Sequence, residues 1–233
     1  MLQNLIKELH EVRNLEYAKA LQKFFKTGEG EYGEGDIFLG IKGPTLKDIL
    51  KKYLRLNLMQ VQKLLNSKIH EYRLAGLLIL VKKFEKGDDI QKGNIFNFYL
   101  KNKKNINNWD LVDLTAHKIV GKFLQDKKRD KIYELAESKN LWEKRIAMVS
   151  CYEYIRQNDF KDALRVAEIL LNDSHDLIHK AVGWMLREIG KRDRDIEEKF
   201  LKKHYKKMPR TMLRYSIEKF DEKKRKKYLK GEV

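Results

Sequence analysis

Apolar residues recur along the chain at intervals of three and four, which is the spacing of one face of an α-helix. Two such stripes consist of Leu2, Leu5, Ile6, Leu9 and Val12, and of Leu46, Ile49, Leu50, Tyr53 and Leu54. Similar stripes cover residues 58–66, 70–84, 111–124, 142–155, 160–171, 177–189 and 209–220. Alternating β-branched runs are absent, and the two prolines, Pro44 and Pro209, stand where a helix could begin. The pattern predicts an all-α fold of roughly a dozen helices.

An internal repeat joins several of these helices. Arg73 and Arg145 are separated by twice 36 residues, Lys180 follows after 35 and Arg214 after 34, and Trp109 fills the place 36 residues after Arg73. A period in the mid-thirties with two helices per unit predicts an α-α superhelix, or solenoid, of stacked helical hairpins. The second helices would line a concave groove, and the four basic positions would make it positive. Alternatively, these side chains are simply solvated near helix starts.

The charge balance favours a polyanionic partner. The chain has 51 Lys and Arg residues against 34 Asp and Glu, which gives a net charge of +17, while 42% of its residues are hydrophobic. The apolar fraction suffices for a core, and the charge argues against an ordinary enzyme of small neutral or acidic substrates. Nucleic acid is the first candidate partner and an anionic membrane surface the second. Residues 199–233 carry 14 of the basic residues and 4 acidic ones, so this tail either contacts phosphate or is a solvated end.

The remaining compositional signals suggest a cytoplasmic protein. Cys151 has no second cysteine to pair with, which suits a reducing compartment and a small core residue. The first twelve residues lack the apolar region of a signal peptide, and no apolar run is long enough to span a bilayer. We expect a monomer with one domain over residues 1–233 and a basic tail over about 221–233.

Two motifs resemble known sites but are better interpreted otherwise. Residues 28–33 match the glycine-rich GxGxxG pattern, yet no strand precedes them and the carboxylates of Glu29 and Glu31 would repel phosphate. We interpret this segment as an interhelical loop. His175 and His179 have the spacing of a zinc-binding helix, but no third ligand is indicated, so we expect surface histidines and no metal.

One segment interrupts the basic register with an aromatic residue and carboxylates. Trp109 and Asp113 are four residues apart and therefore share a helix face, as do Trp184 and Arg187, which are three apart. These residues could converge on one groove. Alternatively, each indole fills the core and Asp113 pairs with a neighbouring basic side chain.

These segments resemble the AlkD-like DNA alkylation-repair glycosylases, which are HEAT-like repeat proteins. The resemblance is carried by residues 38–41, 108–113, 141–145 and 181–188, and it spans about residues 1–220. Its most specific motifs are Trp-Asp-x-Val-Asp and Gly-Trp-x-Leu-Arg-Glu. The resemblance implies a curved stack of HEAT-like repeats that grips double-stranded DNA. It also implies hydrolytic excision of cationic N3- and N7-alkylpurines, without base extrusion and without a metal or organic cofactor.

The resemblance also implies roles for individual residues. Asp113 matches the catalytic aspartate, and Trp109 and Trp184 match the two indoles beside the deoxyribose of the lesion. The DNA-backbone contacts match Arg145, Arg187, Lys42 and Lys47. A lesion-proximal tyrosine of some members is replaced here by Phe24 or Phe25, so an aromatic contact survives while the hydroxyl is lost.

Three functions compete at this point. A monofunctional DNA glycosylase would leave an abasic site, whereas a HEAT-like DNA-binding protein would have no activity, and a scaffold would bind an acidic protein. Asp113 favours the first over the second, because a purely phosphate-binding groove has no use for a carboxylate. Steep salt dependence would favour DNA over an acidic protein.

Overall fold

The computed structural model describes residues 1–233 and contains helices but no β-strand, which confirms the all-α prediction. The first helices are Leu2–Glu11 (α1), Leu15–Phe24 (α2), Gly43–Leu50 (α3), Leu58–Leu65 (α4), His70–Lys86 (α5), Asp89–Lys101 (α6) and Trp109–Ala116 (α7). They are followed by Lys122–Leu124 (α8), Asp130–Ala136 (α9), Leu141–Ser150 (α10), Tyr152–Ile155 (α11), Lys161–Ile169 (α12), Asp176–Gly190 (α13), Arg194–His204 (α14), Arg210–Ser216 (α15) and Glu222–Lys230 (α16). A π-helical turn covers His117–Gly121.

Side-chain caps define where many of these helices begin. A capping oxygen accepts a first-turn backbone N–H at Asn14, Asn57, Asp88, Asn140, Asp193 and Asp221. Each cap satisfies a donor that has no partner within the helix. Pro44 lies in the first turn of α3 and Pro209 directly precedes α15, so both prolines mark helix starts as expected.

The chain divides into two compact units, Met1–Thr115 and Ala116–Val233. In the first unit, α5 packs against α3, α4 and α6, and it is buried along most of its length. In the second unit, α13 packs against α10, α14 and α15. None of the helices combines the length and the hydropathy that a membrane-spanning segment needs. The expected single domain over residues 1–233 remains a prediction.

The repeat register coincides with the helices. Arg73, Trp109, Arg145 and Lys180 lie within the first five residues of α5, α7, α10 and α13, whereas Arg214 lies in the last turn of the short helix α15. The expectation that all the basic members face solvent is wrong, because the side chains of Arg73 and Arg145 are buried, at 3% and 4% exposure. Their guanidinium groups form hydrogen bonds within the protein instead. The register therefore predicted a common place in the helix for four of the five positions, but it did not predict how deeply each side chain is buried.

Close packing between α13 and α15 generates a stability prediction. In Gly183→Ala the new Cβ would lie 2.5 Å from the Met212 carbonyl oxygen and 2.5 Å from the Cβ of Tyr215. We expect this overpacking to destabilise the protein by about 1–3 kcal/mol in urea unfolding. Gly43→Ala is the control, because nothing lies within 4 Å of its added Cβ. Equal unfolding midpoints for the two variants would contradict the close packing of α13 against α15 at Gly183.

Candidate active site

Helix α7 presents Trp109 and Asp113 one turn apart. Both are partly exposed, whereas Leu111 and Val112 between them are fully buried. The buried side chain of Asn108 accepts the Trp109 backbone N–H through its Oδ1 at 2.8 Å and so starts the helix. The predicted helix and the burial of its core positions are therefore confirmed, while the catalytic role of Asp113 remains a prediction.

An aromatic cluster supports the Trp109 indole. Trp109 stacks on Phe25 with ring centroids 5.1 Å apart and an interplanar angle of 10°. Phe24 meets Trp109 edge to face, with centroids 5.9 Å apart, and is 63% exposed, whereas Phe25 is buried. Of the two phenylalanines left open by the sequence, Phe24 is therefore the one that a bound molecule can touch, and Phe25 is the one that holds the indole.

A buried network of charged side chains lies beneath this cluster, and sequence analysis did not identify it. Arg73 donates to Asp36 Oδ1 through Nη2 at 2.6 Å, and Asn108 donates to Asp36 Oδ2 at 3.2 Å. The His70 ring contacts Asp36 Oδ2 through Nδ1 at 3.3 Å and Asp110 Oδ2 through Nε2 at 2.8 Å. The network joins the loop before α3 to α5 and to the first turn of α7.

The network shifts the titration of its members. Burial opposes a charge on His70, but the carboxylates of Asp110 and Asp36 outweigh it and raise the pKa of His70 to about 9. Burial likewise disfavours the Asp36 carboxylate, yet its hydrogen bonds and the charge of Arg73 leave the pKa of Asp36 below its usual value. At pH 7, His70 is an imidazolium and Asp36 a carboxylate.

Glu71 fixes the loop that leads into α3. Its buried carboxylate accepts the backbone N–H groups of Leu39, Gly40 and Ile41 at 2.9, 2.8 and 3.2 Å. Gly40 has φ +80°, and a Cβ there would lie 2.0 Å from the Asn14 carbonyl oxygen. The loop therefore requires glycine, and its backbone donors already bind an internal carboxylate.

The lysines after this loop are solvent-exposed. Lys42 directly precedes α3 and Lys47 lies on it, one and a half turns further along. The side chains available to phosphate at this position are therefore the two ammonium groups, and the role expected for them remains a prediction.

In the second unit, Trp184 lies among polar and aromatic neighbours. Its Nε1 donates to Glu188 Oε1 at 3.2 Å, and its ring centroid is 6.0 Å from that of Tyr152. His117, in the π-helical turn, meets Tyr152 edge to face at 5.3 Å. Burial, with the nearby charges of Lys118 and Arg156, lowers the pKa of His117 to about 4, so the ring is neutral at pH 7.

The two predicted backbone-contact arginines differ in their surroundings. Arg145 is 4% exposed and donates to the Leu177 carbonyl oxygen near the start of α13, so the solvent-facing guanidinium expected there is not observed. Arg187 is partly exposed and forms an ion pair with Glu218, which lies outside its own helix. The Arg187 guanidinium is therefore already paired within the protein, and the phosphate contact expected for it remains a prediction.

The basic tail forms an ordered helix. Six of the nine residues of α16 are Lys or Arg, and Asp221 caps the helix while Gly231 ends it in the left-handed conformation. Tyr228 is 1% exposed and meets Tyr205 and Phe220 edge to face. The face opposite Tyr228 exposes Lys223, Lys226, Lys227 and Lys230.

Fold and charge together define a basic protein built from packed helices, with an indole and a carboxylate on one helix of the first unit and a second indole in the other unit. The model of the DNA alkylation repair enzyme family matches residues 5–220, and the chain belongs to this family. As a family member, it is a repair protein whose substrate is DNA.

Solved structures support the fold. One neighbour, described as a predicted DNA alkylation repair enzyme from Enterococcus faecalis, has a TM-score of 0.70 at 16% identity, over 90% of this chain and 97% of that one. Another, AlkD2 from Streptococcus mutans, has a TM-score of 0.54 at 18% identity, over 89% and 98%. No curated protein sequence matches the chain. At these identities the neighbours show the fold alone.

The carboxylate of Glu71 generates a second stability prediction. Glu71→Gln keeps the shape but removes the charge, and its amide nitrogen cannot accept a backbone N–H. We expect unfolding to become easier by about 3 kcal/mol, because buried donors lose a charged acceptor. The control is Glu85→Gln, since Glu85 pairs with Lys82 at the surface and should change stability little. A loss for Glu71→Gln no larger than for this control would contradict the loop's dependence on Glu71.

Proposed function

We propose that the chain is a monofunctional DNA glycosylase that hydrolyses the N-glycosidic bond of cationic N3- or N7-alkylated purines in double-stranded DNA. The observation that carries the proposal is the partly exposed pair of Trp109 and Asp113 on α7, in a chain of the DNA alkylation repair family. The products are the free base and an abasic site.

The chemistry of the lesion explains why a carboxylate suffices. Alkylation at N3 or N7 makes the purine cationic, so it departs as a neutral base with little acid assistance. Positive charge then develops on the deoxyribose as an oxocarbenium ion. In our proposal Asp113 stabilises this charge and orients or deprotonates the attacking water. No metal or organic cofactor takes part.

In addition to Asp113, the indoles of Trp109 and Trp184 attract the positive charge that develops on the deoxyribose. The face of an aromatic ring is attracted to positive charge, and this attraction strengthens when water is excluded. We propose that both rings approach the sugar of the lesion, with Phe24 as a further exposed contact beside Trp109. The neutral ring of His117 supports this reading, because an imidazolium near Trp184 would repel the developing cation.

Exposed cations hold the DNA backbone in this proposal. Lys42, Lys47 and Arg187 bind phosphates of the duplex, with Arg187 exchanging Glu218 for a phosphate. The burial of Arg145 changes the role proposed for it, from a direct phosphate contact to a positioning residue at the start of α13.

We propose that the protein acts as a monomer on nucleoid DNA in the cytoplasm.

The test of catalysis is release of 7-methylguanine or 3-methyladenine from methylated duplex in single turnovers. Asp113→Asn should slow release by about a hundred- to thousandfold, the range for loss of one electrostatic contact to a transition state. The control is Asp126→Asn, which removes an exposed carboxylate from the loop after α8. Absence of release by folded wild-type protein would refute the glycosylase, whereas equal release by Asp113→Asn would remove only the role of Asp113.

The test of the basic tail is the salt dependence of binding to undamaged duplex. Each phosphate contact contributes about 0.9 to the slope of log affinity against log salt. Replacing Lys223, Lys226, Lys227 and Lys230 by Gln should therefore lower the slope by about 2, if at least two of them touch phosphates. The matched control replaces four exposed lysines of the first unit, Lys82, Lys86, Lys101 and Lys104. An unchanged slope, or the same loss in both variants, would show that α16 makes no phosphate contact of its own.

A further inference from the structure

The His70 ring lies between two carboxylates in the interior of the first unit, directly beneath α7. We infer that the His70 imidazolium is a positioning residue, which holds Trp109 and Asp113 in place for base excision by bridging Asp36 and Asp110. The inference rests on the proposed function for its consequence in catalysis. Its structural part, the dependence of Trp109 on His70, can be measured without any reaction.

The geometry of these contacts favours the cation. Nε2 of His70 is 2.8 Å from Asp110 Oδ2 and Nδ1 is 3.3 Å from Asp36 Oδ2. A neutral imidazole has one N–H and one lone pair, so one of its nitrogens would face a carboxylate oxygen without a proton between them. Only the protonated ring donates to both carboxylates.

The balance of charges around His70 also favours its protonated form. The charged groups that face His70 are Asp36 from the loop before α3, Asp110 from α7 and Arg73 from its own helix. All of their side chains are at least 87% buried, since Asp110 is 13% exposed and the others no more than 4%. With His70 protonated, two cations meet two anions. Loss of the proton leaves an uncompensated negative charge in the interior, which is costly in a low-dielectric environment.

The contacts of His70 with Asp36 and Asp110 hold the residues on both sides of Trp109. Asp110 is bound directly by His70, while Asn108 donates to the same Asp36 oxygen that His70 contacts. Asn108 in turn accepts the backbone N–H of Trp109. The first turn of α7 is therefore held at residues 108 and 110, and Asp113 follows one turn later on the same helix.

Aromatic packing connects the same ring to the indole. His70 stacks on Phe38 with centroids 4.5 Å apart and lies 5.1 Å from Phe25. Phe25 is the ring on which Trp109 stacks. A shift of His70 would therefore reach Trp109 both through the backbone of α7 and through Phe25.

Protonation then sets a pH limit for the site. The pKa of His70 is raised from 6.5 to about 9, so its contribution to stability is fully present below pH 6.5 and is lost as the pH rises through 9. Excision should fall over the same range. Binding of undamaged duplex should fall less, because it depends on surface cations.

The kinetic test compares His70→Gln with wild type between pH 7 and 10 in short single-turnover assays. We expect His70→Gln to excise about ten- to a hundredfold more slowly at pH 7, the scale of a misplaced catalytic group. Its affinity for undamaged duplex should change less than the rate, and its profile should lack the decline near pH 9. The double variant His70→Gln with Asp110→Asn restores neutrality and should recover part of the rate. His10→Gln, a histidine of α1 in the same unit, is the control and should behave as wild type.

The structural test follows the carbon-bound ring protons of His70 and Trp109 by NMR as a function of pH. His70 should titrate near pH 9, and the Trp109 signals should move with it in wild type and stay constant in His70→Gln. Titration of His70 near 6.5, or Trp109 signals that ignore the transition, would overturn the inference even if the protein excises no base. A wild-type rate in His70→Gln would overturn it while leaving the glycosylase proposal intact.

Discussion

A buried network of four charged side chains in the first unit constrains the elements around it. His70 and Arg73 on α5 meet Asp36 in the loop before α3, and His70 also meets Asp110 at the start of α7. Removing one partner of a buried pair typically costs about 3–5 kcal/mol, because the other charge is left uncompensated. The loop before α3, helix α5 and helix α7 are therefore held together before any DNA is bound. This fixes the positions of Trp109 and Asp113 on α7.

The indoles of Trp109 in the first unit and Trp184 in the second are supported in different ways. Trp109 rests on Phe25, which neighbours a protonated histidine whose charge is balanced by two carboxylates. Trp184 has Glu188 at its N–H and, through Tyr152, the neutral ring of His117 nearby. The histidine on the side of Trp109 is therefore balanced by carboxylates, and the histidine on the side of Trp184 is neutral at pH 7. In the proposed reaction, neither histidine adds to the repulsion of a developing cation in a chain whose net charge is +17.

Sequence patterns were reliable where the structural cause is local. Apolar spacing and the two prolines predicted most of the helices, and the four-residue spacing placed Trp109 and Asp113 one turn apart on α7. Sequence patterns failed where the structure depends on how deeply a side chain is buried or on pairing between residues that are distant in sequence. Val12 lies beyond the end of α1 and is 38% exposed despite its place in the apolar stripe. The burial of Arg73 depends on Asp36, which is 37 residues away, so no local spacing could reveal it. The stripe over 111–124 predicted no interruption, yet a π-helical turn occupies His117–Gly121.

In the proposed reaction, excision depends on the positive charge of the lesion rather than on acid catalysis by the protein. This dependence is tested most directly with two duplexes that differ at one base, one carrying 7-methylguanine and the other hypoxanthine, an uncharged purine that departs readily only when protonated. We predict that the free base is released from the first duplex alone, leaving an abasic site in an uncut strand. Release of hypoxanthine at a comparable rate, or no release of 7-methylguanine, would contradict it.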